Sequence, residues 1–339
     1  MSRLIFLILS LLLPFLLPQT NSSPLPLTVL PSPLSPSHSL TFSIGTPPTT
    51  VTLIIDTGSH HLALPCSNLK NEDIWFDVGG SETAEYHDCM NCPEETECDG
   101  DRCTHTQSYS EGSKWSAQTL LETLYLPLPL KTTIYCVTEH TGLFNSQPEN
   151  GLLGLARGAD FFNGVGVGFE VCLTGNGGYI DFTSNPPPLI ETNNGQYYKI
   201  NIISISFNSQ TLHCEPIYYN RGKGCILDTG TTDIYLPKDC EEEFRRVWGM
   251  ETGVEFVNSE IYLDSESFKT LPTLTLHTEK LKFNIYPNLY MEPSNKLGYY
   301  TNRIYLEEQF GMIIGAAGLM YKSVWFGEEG VGWGDSLCW

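Results

Sequence analysis

Apolar and polar positions along the chain fall into many short strand-like runs. Val51-Thr52-Leu53-Ile54-Ile55 alternates and predicts a strand running into Asp56. Tyr197 to Phe207 predicts another, and Leu271 to Leu276 a third. Gly, Asn and Pro separate such runs, and ordered sequence is expected to begin near Leu40. The best helix candidate is short, from about Lys238 to Trp248. Its acidic residues come early and Arg245 and Arg246 late, the order that suits the helix dipole. Pro24 to Ser37, rich in Pro, Ser and Leu, reads as an irregular lead-in.

The pattern also repeats. Ile54-Ile55-Asp56-Thr57-Gly58-Ser59 returns as Ile226-Leu227-Asp228-Thr229-Gly230-Thr231, and Leu152-Leu153-Gly154 returns as Ile313-Ile314-Gly315. Each half therefore holds an Asp-Thr-Gly after two apolar residues, then an apolar-apolar-Gly. Two copies of one β unit, joined near Pro186-Pro187-Pro188, are the simplest architecture. A content of 30 Gly and 22 Pro in 339 residues agrees with a turn-rich, mostly β chain of about two domains.

The one long apolar run, Leu4 to Leu17 behind Arg3, reads as an export signal over residues 1–20. It is short for a bilayer span, Pro14 weakens it as a helix, and no later segment is long enough to cross. The chain end at Cys338-Trp339 carries no hydrophobic tail of the kind a lipid anchor needs. All 11 cysteines follow the signal, so disulfides are expected, with an odd thiol left over. The net charge of −21, without a cluster of Lys and Arg, argues against nucleic acid as a partner.

The repeated motif carries the chemistry. Hydrolysis of a peptide without a metal or a covalent intermediate needs an activated water and an acid for the leaving nitrogen. Two adjacent carboxylates supply both, because like charges at close range cannot both ionise and so share one proton. Asp56 and Asp228 are the candidate pair. Gly58 and Gly230 permit a tight turn with backbone N–H groups facing the carboxylate. Ser59 and Thr231 each offer a hydroxyl to the neighbouring Asp, and Thr57 and Thr229 complete the two loops.

With these motifs the sequence resembles the pepsin-like aspartic proteases over nearly its whole length after the signal. Gly45-Thr46-Pro47-Pro48 resembles that family's opening loop, and Asn150 to Leu155 its first apolar-apolar-Gly segment. The resemblance implies a bilobal, mostly β fold: two pseudo-symmetric β-barrel-like lobes, one catalytic Asp in each, and a peptide cleft between them. It implies residues 21–38 as lead-in, 39–185 as the first lobe, 186–195 as linker and 196–339 as the second lobe. It also implies a flap with Tyr109, Ser110, Glu111 and Gly112 over the substrate, with Glu111 in reach of a basic side chain. The implied activity is that of an aspartic endopeptidase, a monomer with a peptide or protein as substrate and no cofactor or metal. Its place would be in the secretory pathway: outside the cell, in a vacuole or lysosome, or in the endoplasmic reticulum. A catalytically silent binding or inhibitor protein on the same fold is the alternative.

Within the family, Ser59 to Cys66 and the Cys-rich segment after it resemble the nepenthesin-like and plasmepsin V-like branch. That likeness implies pairing of Cys66, Cys89, Cys92, Cys98, Cys103 and Cys136 among themselves, and of Cys172 with Cys338. Cys214, Cys225 and Cys240 then hold the odd thiol. The spacing of Cys89 and Cys92 also occurs in zinc sites, but there is no second Cys-x-x-Cys. Three departures stand out. Many pepsin-like enzymes carry a Trp where this chain has Ala63, so the flap must be held differently. Ala156 to Phe169 is short for a cleft wall, and Gln19 to His38 is short for a propeptide and lacks Lys and Arg. His60 and His61, beside the first motif, read as a partly exposed turn, or else as a pH-sensitive modifier of the cleft.

Overall fold

A computed structural model of the chain describes residues 23–30, 37–66, 76–109, 112–126, 129–163, 168–182, 190–191, 195–336 and 338. The expected signal, Ser110, Glu111 and most of the linker lie outside these residues. The fold is mostly β and bilobal, with helices short and few.

The sequence repeat is a repeat of topology. In the first half, Gly151–Gly154 lies parallel to Thr49–Asp56, with Gly154 opposite Asp56, and antiparallel to Leu62–Pro65. In the second, Met312–Ile314 lies parallel to Cys225–Leu227 and antiparallel to Ile234–Pro237. Each Asp-Thr-Gly loop thus leaves one strand, turns, and enters another, while the apolar-apolar-Gly strand is wedged between the two. Strands buried on both faces read as continuous apolar runs, and these segments are buried at consecutive positions, which is why they read as Ile-Ile, Leu-Leu and Ile-Leu rather than as an alternation. Gly154 and Gly315 permit close approach: a Cβ on either would overlap the backbone of the loop facing it.

Four expectations need correction. The lead-in contains a strand, Leu25–Val29, paired with both Gly177–Asp181 and His38–Ile44. Pro24 and Pro26 hid it, since proline gives a ladder no N–H; the burial of Leu27, only 4% exposed, holds it in place. Tyr197 to Phe207 is not one strand. Lys199–Ile200 pairs with Cys225–Leu227, and Ser204–Phe207 pairs with Leu274–His277 in another sheet. The third run starts late, at Leu274, after Pro272. The helix begins and ends later than expected, at Glu241–Thr252, preceded by a single 3-10 turn. Glu241, Glu242 and Glu243 occupy its first turn, Phe244, Val247 and Trp248 face the core, and Gly253 in the left-handed region ends it.

The C-terminal hairpin crosses the expected division of the chain. Lys322–Gly327 pairs with Gly168–Thr174, and Gly330–Asp335 closes on Lys322–Gly327. The end of the second half therefore extends the sheet of the first. Cys172–Cys338 fastens the same junction, over a sequence separation of 166. The other disulfides are Cys66–Cys136, Cys89–Cys98, Cys92–Cys103 and Cys214–Cys240. Cys225 is the free cysteine; it is buried, and burial pushes its thiol far above the ordinary range, so it is inert. Among the described residues no helix is long and apolar enough to cross a membrane.

Candidate active site

The two Asp-Thr-Gly loops meet back to back. Asp56 is 6% exposed and Asp228 8%. The Gly58 N–H donates to Asp56 Oδ1 at 2.9 Å and the Ser59 hydroxyl to Asp56 Oδ2 at 2.5 Å. The second loop repeats the arrangement. The Gly230 N–H donates to Asp228 Oδ1 at 2.9 Å, and the Thr231 hydroxyl donates to Asp228 Oδ2 at 2.7 Å. Thr231 adds its own N–H to Oδ1 at 3.3 Å.

Each loop also supports the other. The Thr57 N–H donates to Thr229 Oγ1 at 3.1 Å, and the Thr229 N–H to Thr57 Oγ1 at 3.0 Å. The hydroxyls then pass their own protons on, Thr57 to the Leu227 carbonyl at 2.9 Å and Thr229 to the Ile55 carbonyl at 2.7 Å. Thr57 is thereby donor and acceptor for the opposite half. Thr57→Val, equal in shape, would leave the Leu227 carbonyl and the Thr229 N–H buried without partners. Leaving two buried groups unpaired costs roughly 2–6 kcal/mol. Denaturant unfolding of Thr57→Val is expected to show a loss of that size, and a loss well below it would mean that the crossed bonds add little.

The carboxyls are packed together, Gly58 pressed on Asp228 and Gly230 on Asp56. Burial, and then the charge of Asp228, push the Asp56 pKa well above the usual carboxylate range; the donors Ser59 and Gly58 oppose the shift without cancelling it. A carboxyl that binds its proton more tightly than usual therefore sits beside one positioned by three hydrogen bonds. Two such groups titrate as a unit.

Tyr109 lies at the turn between the strands Arg102–Ser108 and Lys114–Tyr125. Its N–H donates to the Ser113 carbonyl at 2.9 Å, and the Gly112 N–H to the Tyr109 carbonyl at 3.0 Å. Gly112 has φ 97°, a left-handed value that glycine takes without strain. The Tyr109 ring packs edge-on against Phe144 at 5.5 Å.

Two features escaped the sequence reading. Trp115, six positions after Tyr109, donates from Nε1 to the Tyr109 hydroxyl at 3.1 Å. The signal for it was the coincidence of Ala63 with a tryptophan just past the expected flap turn. His61 is the second. It is 8% exposed, so the reading of a partly exposed turn holds for His60 alone. The His61 ring centroid lies 4.2 Å from that of Tyr135 and 4.7 Å from that of His105. Its two nitrogens each approach a carboxylate, Glu95 and Asp160, at 3.8 Å. Burial, and then His61, hold the His60 pKa below the ordinary value.

Comparison with known proteins agrees with this geometry. Residues 38–182 match a family described as "Xylanase inhibitor N-terminal", and residues 174–326 match "Eukaryotic aspartyl protease". The chain is 23% identical to Aspartyl protease AED3 of Arabidopsis thaliana, over 71% of this chain and 62% of the relative. It is 27% identical to Aspartic proteinase nepenthesin-2 of Nepenthes gracilis, over 58% and 52%. Against Plasmepsin V of Plasmodium falciparum the identity is 30%, over 34% of this chain and 22% of the relative. The chain thus spans less than two thirds of the length of these relatives.

Proposed function

Because the chain belongs to the pepsin-like family of eukaryotic aspartyl proteases, we propose that it is an endopeptidase in which Asp56 and Asp228 activate one water against a peptide bond. The observation that carries this reading is the pair itself: two buried carboxyls, each held by a glycine N–H and a hydroxyl, with the Asp56 pKa raised by burial and by the charge of Asp228.

The ionised member accepts a proton from the water, and the oxygen adds to the peptide carbonyl carbon. The protonated member donates to the carbonyl oxygen as its charge develops. The tetrahedral adduct then collapses: the amide nitrogen takes a proton from the pair, the C–N bond breaks, and a carboxylic acid and an amine leave. The proton taken from water goes to the leaving group, and one hydroxyl of the adduct returns its proton to the pair as the acid forms, so the pair ends as it began. Tyr109 covers the cleft from its turn and orders the bound peptide. Five disulfides support a place in the secretory pathway.

The silent alternative is not favoured, since both carboxyls and their donors are in place. The test is cleavage of an unfolded protein from acidic to neutral pH, with and without a statine-type inhibitor, which mimics the tetrahedral adduct. Inhibitor-sensitive internal cleavage is expected. Absence of such cleavage at every pH would replace this reading with the silent one.

A further inference from the structure

Resting on the reading of Tyr109 as the residue over the cleft, we infer that Trp115 is its positioning residue, acting from within the same hairpin. A buried tryptophan needs a partner for its indole N–H, and Trp115 is only 2% exposed. That partner is the Tyr109 hydroxyl. Trp115 stands directly opposite Gln107, one pair below the last rung of the ladder, Ser108 with Lys114. The bond therefore spans the base of the turn that carries Tyr109, and it fixes the phenol oxygen relative to the hairpin itself.

The indole is in turn fixed to the body of the first half. It packs in a small apolar cluster with Ala63, Ala117, Tyr135 and Val137, against which Tyr109 also lies. Ala63 is the member that leaves room: its strand runs parallel to Pro129–Thr141, opposite Tyr135, and a large side chain at that point would compete with the indole for the same space. The sequence thus has a small residue on the body and a large one on the hairpin, and the tyrosine takes its orientation from the latter.

The experiment is a double-mutant cycle of Trp115→Phe and Tyr109→Phe, read as steady-state cleavage of a peptide. Trp115→Phe keeps a ring in the cluster and removes the N–H. It is expected to lower kcat about fivefold, the size of one neutral hydrogen bond, with KM changed less. In the Tyr109→Phe background, where no hydroxyl remains to be held, the same substitution is expected to change little. A full fivefold loss there, or no loss in the parent, would overturn the inference. The bond is also readable without turnover. In Tyr109→Phe, which leaves the indole in place, the Trp115 N–H resonance, assigned through its contacts with Tyr135, is expected to move upfield and to exchange faster with solvent. An unmoved resonance alongside Asp56-dependent cleavage sinks only the role of Trp115. A moved resonance alongside cleavage that survives Asp56→Asn sinks only the reading of the carboxyl pair.

Discussion

Asp56→Asn is expected to lower peptide cleavage by about a thousandfold or more, the scale of removing a proton-transferring group from a transition state, and to do so while making the protein more stable at neutral pH. Asp228→Asn is expected to match it in activity, since neither carboxyl alone can both accept a proton from water and donate one to the carbonyl. The gain in stability follows from the sign of the Asp56 shift. Its folded pKa is raised above the unfolded value, first by burial and then by Asp228. Between those two values the folded protein binds more protons than the unfolded chain, so this group's contribution is fully present below the unfolded pKa and is lost as pH rises through the folded one. Asn at position 56 cannot ionise and escapes that loss. Thermal melts of parent and Asp56→Asn should therefore diverge as pH rises from the acidic range to neutrality and converge toward pH 3. The same raised pKa places the alkaline limb of the parent's activity above the ordinary carboxylate range, because cleavage ends when the shared proton is gone. A variant with parental activity, or melts separated equally at all pH values, would remove the basis for the pair.

Gly230→Ala is the second large effect expected, and it acts through shape alone. A Cβ at Gly230 would overlap the Asp56 carboxyl, and one at Gly58 would come within 2.5 Å of Asp228 Oδ2. Each loop is pressed on the carboxyl of the other with no space for a methyl group. The loops cannot back away, because the crossed threonine bonds tie them together. Asp56 would instead have to turn out of the plane set by Gly58 and Ser59. A displacement of that kind costs about a hundredfold in rate, and forced overpacking costs about 1–3 kcal/mol in stability. Gly249→Ala is the control. It lies in the helix Glu241–Thr252, where an added Cβ meets nothing within 4 Å, and there alanine should stabilise by about 0.5–1 kcal/mol without touching activity. If Gly230→Ala cleaves as well as Gly249→Ala, the loops are not the rigid seat described above.

Much of this was legible in the chain itself. The two Asp-Thr-Gly motifs, their hydroxyls at Ser59 and Thr231, and the two apolar-apolar-Gly segments are local patterns, and each is written within a few consecutive residues. Their recurrence was enough to expect two like halves with one carboxyl from each. The cysteines that pair did so within the groups expected of them, and the remaining three resolved into Cys214–Cys240 and a buried Cys225.

What escaped the sequence had its cause in distant partners. Leu25–Val29 is a strand because Gly177–Asp181 and His38–Ile44 close on it from both sides; its own prolines argue against one. The hairpin at 322–335 extends the first sheet, although it follows the second motif in the chain. Trp115 reads as any apolar strand residue until Ala63 is seen beside it, and His61 as a turn residue until Tyr135 and His105 cover it. The sequence by itself determined which groups are the candidates for the chemistry and the turns that hold each of them, because those depend on neighbours along the chain. The tertiary structure decided that the two carboxyls are buried under each other's loops, that Thr57 and Thr229 brace those loops, and that the Trp115 indole meets the Tyr109 hydroxyl. Those properties arise only where segments far apart in sequence bury polar groups against one another, and a buried group is satisfied by whatever the fold brings within 3 Å or so of it.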